Sequence, residues 1–186
     1  DQRMAGARPL QLGLANAVAG QLADFLRREG KATLSVPGGT TPGPIFDTLS
    51  GVDLDWANVA VVLNDERWVP ETSERSNTRL LRERLLRGRA AQARLVPLYA
   101  PADQPEAMLE ALEDGLKPYL PISVLLLGMG ADMHTASLFP GADRLEDALS
   151  PSAPILLPMR AEAAGESRIT LTARTLREAF NIHILI

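Results

Sequence analysis

The stretch ISVLLLGMGADMHTASLFPG, residues 122–141, decides how the rest of the chain is read. It begins with a nearly unbroken apolar run, ISVLLLG over 122–128, the length of one strand rather than a helix. Two glycines follow, Gly128 and Gly130, and then Asp132 and His134, two residues apart. The chain has only two histidines, His134 and His183, so one of them stands directly after its most apolar strand. NVAVVLN (58–64) is a second run of this kind, as expected of a strand covered on both faces.

Working outward, strand-like and helix-like segments alternate. LQLGLANAVAGQLADFLRREG (10–30) carries Leu14, Val18, Leu22, Phe25 and Leu26 at helical spacing, with Gly30 as its stop. ATLSV (32–36) predicts a strand, and PGPIFDTLSG (42–51) a helix opened by Pro42. A helix over 76–88 is capped by Ser76 or Asn77, and another covers 105–120. After the strand at 122–128, HTASLF can begin a helix, while SRITLT (167–172), ARTLREAF (173–180) and NIHILI (181–186) predict strand, helix and strand. PADQP and PSAPILLP read as surface crossings. The expectation is an α/β fold, a doubly wound, mostly parallel sheet with helices on both faces, as one domain over 1–186. Such sheets bind ligands at the carboxyl ends of their strands, so the loops after Val36, Leu63 and Leu127 are where function is sought.

Composition excludes several chemistries. There is no cysteine, hence no disulfide framework, thiolate nucleophile or thiolate metal site. Lys31 and Lys117 are the only lysines, neither in a context suited to a Schiff base. A net charge of −4 argues against nucleic acid as a partner. Seven arginines against one glutamate between Arg75 and Arg94 read as a solvated face. With 46% apolar residues, no run of about 18 of them and no apolar core at the start, a cytoplasmic protein without a membrane span is expected.

Each of the three loops carries a candidate site. In VPGGTTPGP (36–44), Gly38 and Gly39 let the backbone approach a ligand, and Thr40 and Thr41 lead into a helix. That composition fits a phosphate cradle and also a plain βα turn. In NDERWVPETSERSN (64–77), Arg67 can grip an anion bidentately, and the carboxylates and Asn77 can hold sugar hydroxyls. The same loop reads equally as solvated, with Trp68 packed inward. In the third, GMGADM departs from a dinucleotide fingerprint because Met133 takes the last glycine's place. Asp132 can orient His134 only in a loop or helix cap, and a helix N-terminus there favours the neutral imidazole of a general base. A capping histidine or a metal ligand are the alternatives, metal being poorly supported by two histidines and no cysteine. Ser137 lies outside any nucleophile elbow.

PGGTTP, NDERWVP followed by SN, and GMGADMHTASLFPG, in this order, resemble the 6-phosphogluconolactonase family, which shares its fold with glucosamine-6-phosphate deaminase. The deaminase motif continues through Asn-Glu-Pro, whereas this chain has Ser-Leu-Phe-Pro, as in the lactonases. The resemblance implies hydrolysis of 6-phosphogluconolactone without a cofactor. It places the phosphate on Gly38, Gly39, Thr40 and Thr41, gripped by Arg67, with Arg168 a second cation. His134 then activates water and Asp132 holds its imidazole. Met133 departs from the family's Asp-Gly-His. Family members continue past NIHILI into a loop with a phosphate-holding lysine, so residues beyond Ile186 that complete the site are expected. A deaminase-like isomerase and a non-catalytic sugar-phosphate-binding regulator are the competing readings.

Overall fold

The structure, a computed structural model, describes residues 2–129, 136–138, 143–160 and 166–185, with side chains of the first helix from Leu10 onward. Helix α1 (Gln2–Glu29) buries Ala15, Val18, Ala19 and Leu22 along one face. Gly30, at φ +76°, ends it and donates its N–H to the Leu26 carbonyl at 2.9 Å. Strand β1 (Ala32–Val36) is buried at all five positions, and so, after helix α2 (Gly43–Leu49), is β2 (Val59–Leu63). Successive side chains of a strand point to opposite faces, so burial at every position means that both faces are covered.

Asn64 separates β2 from β3 (Asp65–Arg67), a stretch whose sequence predicts only a loop. Helix α3 (Asn77–Arg84) starts on Ser76, whose Oγ accepts the Arg79 N–H at 3.1 Å. The short strand β4 is Arg94–Leu95. The single helix expected over 105–120 is instead a 3₁₀ turn at Pro105–Met108, helix α4 (Leu109–Leu116) and a second 3₁₀ turn at Lys117–Tyr119. Pro118 lacks the N–H needed to continue an α-helix and its ring crowds the preceding turn. Then come β5 (Val124–Gly128), α5 (Leu145–Leu149), β6 (Leu156–Met159), β7 (Arg168–Leu171), α6 (Ala173–Arg177) and β8 (Asn181–Leu185).

Five strands form the central sheet in the order β4-β2-β1-β5-β8, every pairing parallel. That is the mostly parallel sheet read from the apolar runs. Three further strands form a separate antiparallel sheet, β3-β7-β6. RITLT is therefore a strand, but it belongs to this second sheet. ILLP, expected as a surface crossing, is mostly strand β6 with Leu156, Leu157, Pro158 and Met159 all buried. Pro158 hides the signal in sequence, yet it is tolerated because β6 is an edge strand.

Asn64 links the two sheets. Its N–H donates to the Val36 carbonyl at 2.8 Å and its carbonyl accepts the Leu171 N–H at 2.9 Å. Its fully buried side chain accepts from Ser35 Oγ at 2.7 Å and donates to the Leu126 carbonyl at 3.0 Å. One residue thus ties β1, β5 and β7 together where the chain leaves the central sheet. On the opposite edge, β8 exposes Ile182 and Ile184, while His183 between them sits half-buried with Nε2 2.7 Å from Gln21 Oε1 of α1. His183 is a packing residue, as its place inside a strand implies. Among the described residues no helix is long and apolar enough to cross a membrane.

Candidate active site

The carboxyl ends of β1, β2 and β5 lie side by side, and the chain leaving each of them borders one cleft of about 310 Å³. That volume is at the small end for a ligand pocket. Pro37, Gly38, Gly39 and Thr41 form one wall. Gly38 leaves room for its neighbour: a Cβ there would stand 2.2–2.4 Å from the three terminal atoms of Asn77 and would have to displace that side chain. Gly39 is required by its backbone, held at φ +80° with open space where a side chain would go. Thr40 does not line the cleft; its carbonyl accepts the Gly43 N–H at 3.1 Å and closes the turn into α2.

The second wall is cationic. Arg67 on β3 and Arg168 on β7 are direct cross-strand partners, and both line the cleft. Opposed residues of an antiparallel pair point to the same face, and like charges placed so repel. Glu166 answers this charge. Its carboxylate lies 3.4 Å from Arg67 Nε and accepts a bidentate grip from Arg75. The bonded Arg75 guanidinium, with the charges of Arg67 and Arg168, holds the Glu166 carboxyl below its usual range. Arg67 is further fixed by a 2.9 Å bond from Nη1 to the Arg75 carbonyl.

Asp65, which the sequence reading passed over as one carboxylate among several, also lines the cleft although it is 8% exposed. Its Oδ2 accepts a short bond from the fully buried Ser137 hydroxyl, and the Ser137 N–H reaches Thr170 Oγ1 at 3.3 Å. Its place at the end of a buried strand was the available signal. Ser137 is thereby a pin between β3 and β7, buried away from any ligand. Residues 136–138 are turn and bridge, with Ala136 at φ 53°, so the helix expected to begin in HTASLF does not run through them. The helix-terminus argument for a neutral His134 loses that support.

Of the residues singled out in sequence, Gly38, Gly39, Thr41, Arg67, Asn77 and Arg168 meet at this cleft. Asp132 and His134 lie outside the described residues. Met129 and Ala136, the described residues that bracket them, both line the cleft. Among the described residues no group of three or more His, Cys, Asp or Glu is placed to hold a metal ion. A larger hollow of about 910 Å³ lies at the amino ends of β1 and β2, but its Arg28, Lys31 and Arg94 are exposed. In the arginine-rich segment, Arg75 pairs with Glu166, Arg79 with Glu83, Arg82 with Glu71, Arg84 and Arg87 with Asp47, and Arg89 with Asp53.

Residues 7–186 match the family described as glucosamine-6-phosphate isomerases/6-phosphogluconolactonase. The chain is 47% identical over 169 residues to the 6-phosphogluconolactonase of Rhizobium meliloti (strain 1021), covering 89% of this chain and 72% of the relative. It is 46% identical over 169 residues to that of Pseudomonas aeruginosa, covering 90% and 71%. The crystal structure of a 6-phosphogluconolactonase from Shewanella baltica OS155 superposes with a TM-score of 0.91 at 37% identity, over 95% of this chain and 76% of that one. The chain belongs to the glucosamine-6-phosphate isomerase/6-phosphogluconolactonase family.

Proposed function

We propose that this protein hydrolyses 6-phospho-D-glucono-1,5-lactone to 6-phosphogluconate, a step of the oxidative pentose phosphate pathway. The observation that carries the reading is the cross-strand pair Arg67 and Arg168 facing the Gly38–Gly39 turn. Two guanidiniums on one wall of a cleft suit a phosphate monoester dianion, whose oxygens each can grip through paired N–H donors. With the phosphate there, Asn77 and Asp65 face the sugar, and the lactone carbonyl lies toward the side bordered by Met129 and Ala136. His134 takes a proton from water as the water oxygen attacks C1. The C1–O5 bond of the tetrahedral adduct then breaks, and His134 returns the proton to the departing ring oxygen. Asp132 orients the imidazole. Acid–base help of this kind supplies about 10²–10⁴-fold.

Side-by-side assays of lactone hydrolysis and of glucosamine 6-phosphate deamination test the reaction. Hydrolysis without deamination is expected, with His134→Ala lowering kcat by about 10²–10⁴-fold. Arg67→Ala should chiefly raise KM, because a phosphate contact is made equally in ground and transition states. A His134→Ala enzyme with near wild-type kcat, after correction for spontaneous lactone hydrolysis, would remove the general-base role.

A further inference from the structure

Glu66 stands between two residues that line the cleft, Asp65 and Arg67, but its own side chain turns inward and is 1% exposed. A carboxylate so placed has lost its water and needs several donors in exchange. It has five. Oε1 accepts the backbone N–H of Arg67 and that of Asn77, each at 2.8 Å. Oε2 accepts the Thr78 N–H at 2.8 Å, Thr78 Oγ1 at 2.7 Å and Ser76 Oγ at 3.3 Å.

The division between the two oxygens is informative. Oε2 is held wholly by the start of α3, whereas Oε1 is shared by the backbones of the two side chains that face the cleft. Asn77 and Thr78 are the first residues of α3, and Ser76 Oγ takes the Arg79 N–H, so the donors at this helix end are consumed within the protein. The helix cannot then offer them to a ligand. Its start serves instead to fix Glu66, and through Glu66 the strand β3. Asn77 in turn packs against Gly38, where a Cβ would displace it.

We infer that Glu66 is a positioning residue for the phosphate half of the site, its single carboxylate setting Arg67 and Asn77 against the Gly38 turn. The inference rests on the reading of the cleft as a sugar-phosphate site. Glutamine is a poor substitute because it has one acceptor oxygen for donors on two sides. Whichever way the amide lies, its NH₂ meets N–H groups that need an acceptor.

The test measures kcat and KM for 6-phosphogluconolactone, and the inhibition constant of inorganic phosphate, in wild type, Glu66→Gln, Arg67→Ala and the double variant. Glu66→Gln is expected to raise KM and the phosphate constant together, by about 10–100-fold, with kcat within a few-fold. The double variant should be worse than either single variant but by less than the product of their effects, because Glu66 acts partly through Arg67 and partly through Asn77. A Glu66→Gln protein with a lowered melting temperature but unchanged KM and phosphate constant would overturn the inference, as would fully multiplicative effects in the double variant. A wild type that binds phosphate but hydrolyses no lactone would sink the proposed reaction alone, since the phosphate constant still reads the positioning. Should Glu66→Gln not fold, Thr78→Val removes one donor to Oε2 on the side away from the cleft. A rise in both constants of about 2–5-fold then supports the inference, and unchanged constants overturn it.

Discussion

Gly38 and Gly39 are adjacent, but they are glycine for different reasons, and substitution separates them. At Gly38 an added methyl group collides with the Asn77 amide, so Gly38→Ala must push Asn77 out of its place beside the cleft. The expected outcome is a KM for the phosphorylated lactone raised by about 10-fold, the size of one lost polar contact, with little change in thermal stability. At Gly39 nothing lies within 4 Å of the methyl group, and the penalty is the φ of +80° alone. Gly39→Ala should therefore cost about 1–2 kcal/mol of stability. Urea unfolding and steady-state kinetics on the two variants give the comparison. If Gly38→Ala left KM untouched, Asn77 would not be a ligand-facing group. In the sequence both were read alike, as glycines that let the backbone approach a ligand or simply turn, because the obstacle at one of them comes from 39 positions away.

The antiparallel ladder of β3 and β7 is the element that carries the site's charge. It runs from Asp65↔Thr170 to Arg67↔Arg168, ending in the two guanidiniums with Glu166 beside them. A bound phosphate should relieve the repulsion across this ladder and stabilise the whole protein through binding linkage. At a phosphate concentration 100 times Kd the gain is about 2.7 kcal/mol, about 5–10 °C in melting temperature for a chain of this size. Arg168→Gln is expected to lose most of that rise, and a differential-scanning series in phosphate reads it. A variant that kept the full rise would move the anion away from β7. β7 and the two arginines were readable one by one, but their pairing was not. NDERW shows no strand periodicity over its three ladder residues, and the pairing of Arg67 with Arg168 spans about a hundred residues of chain.

For the molecule as a whole, stability should fall with acid in two separate ranges. Burial holds the His183 imidazole below its ordinary 6.5. The unfolded chain then takes up that proton first, so stability is full above about 6.5 and declines as pH falls from there toward the folded value. Carboxylates act lower. Glu166 beside Arg75, Asp47 beside Arg84 and Glu106 beside Arg160 are all held below their usual range, foremost by a bonded guanidinium. Their contributions are present above about pH 4 and are lost as pH falls through their folded values. Melting temperatures from pH 8 to pH 3 should show both declines, the upper one missing from His183→Gln. Parallel curves for the two proteins between pH 7 and 5 would mean that the contact with Gln21 leaves the imidazole fully solvated.

The amino-acid sequence by itself determined four of the five parallel strands (β1, β2, β5 and β8), the stop at Gly30, an N-cap at Ser76 or its neighbour and the carboxyl edge as the place of the site. Each rests on a local signal: an apolar run, a residue with permissive backbone angles, a side chain able to cap a helix. Gly38, Gly39 and Arg67 stood out for the same reason, being unusual residues close after buried strands, and Asn77 as a polar residue at the start of a helix. The second sheet, the strand hidden by Pro158, the opposed arginines and the buried carboxylate of Glu66 were decided only by the tertiary structure. These depend on which distant backbones come within hydrogen-bonding distance. A pairing register is set by the packing of the whole core, and no period in the local sequence encodes it.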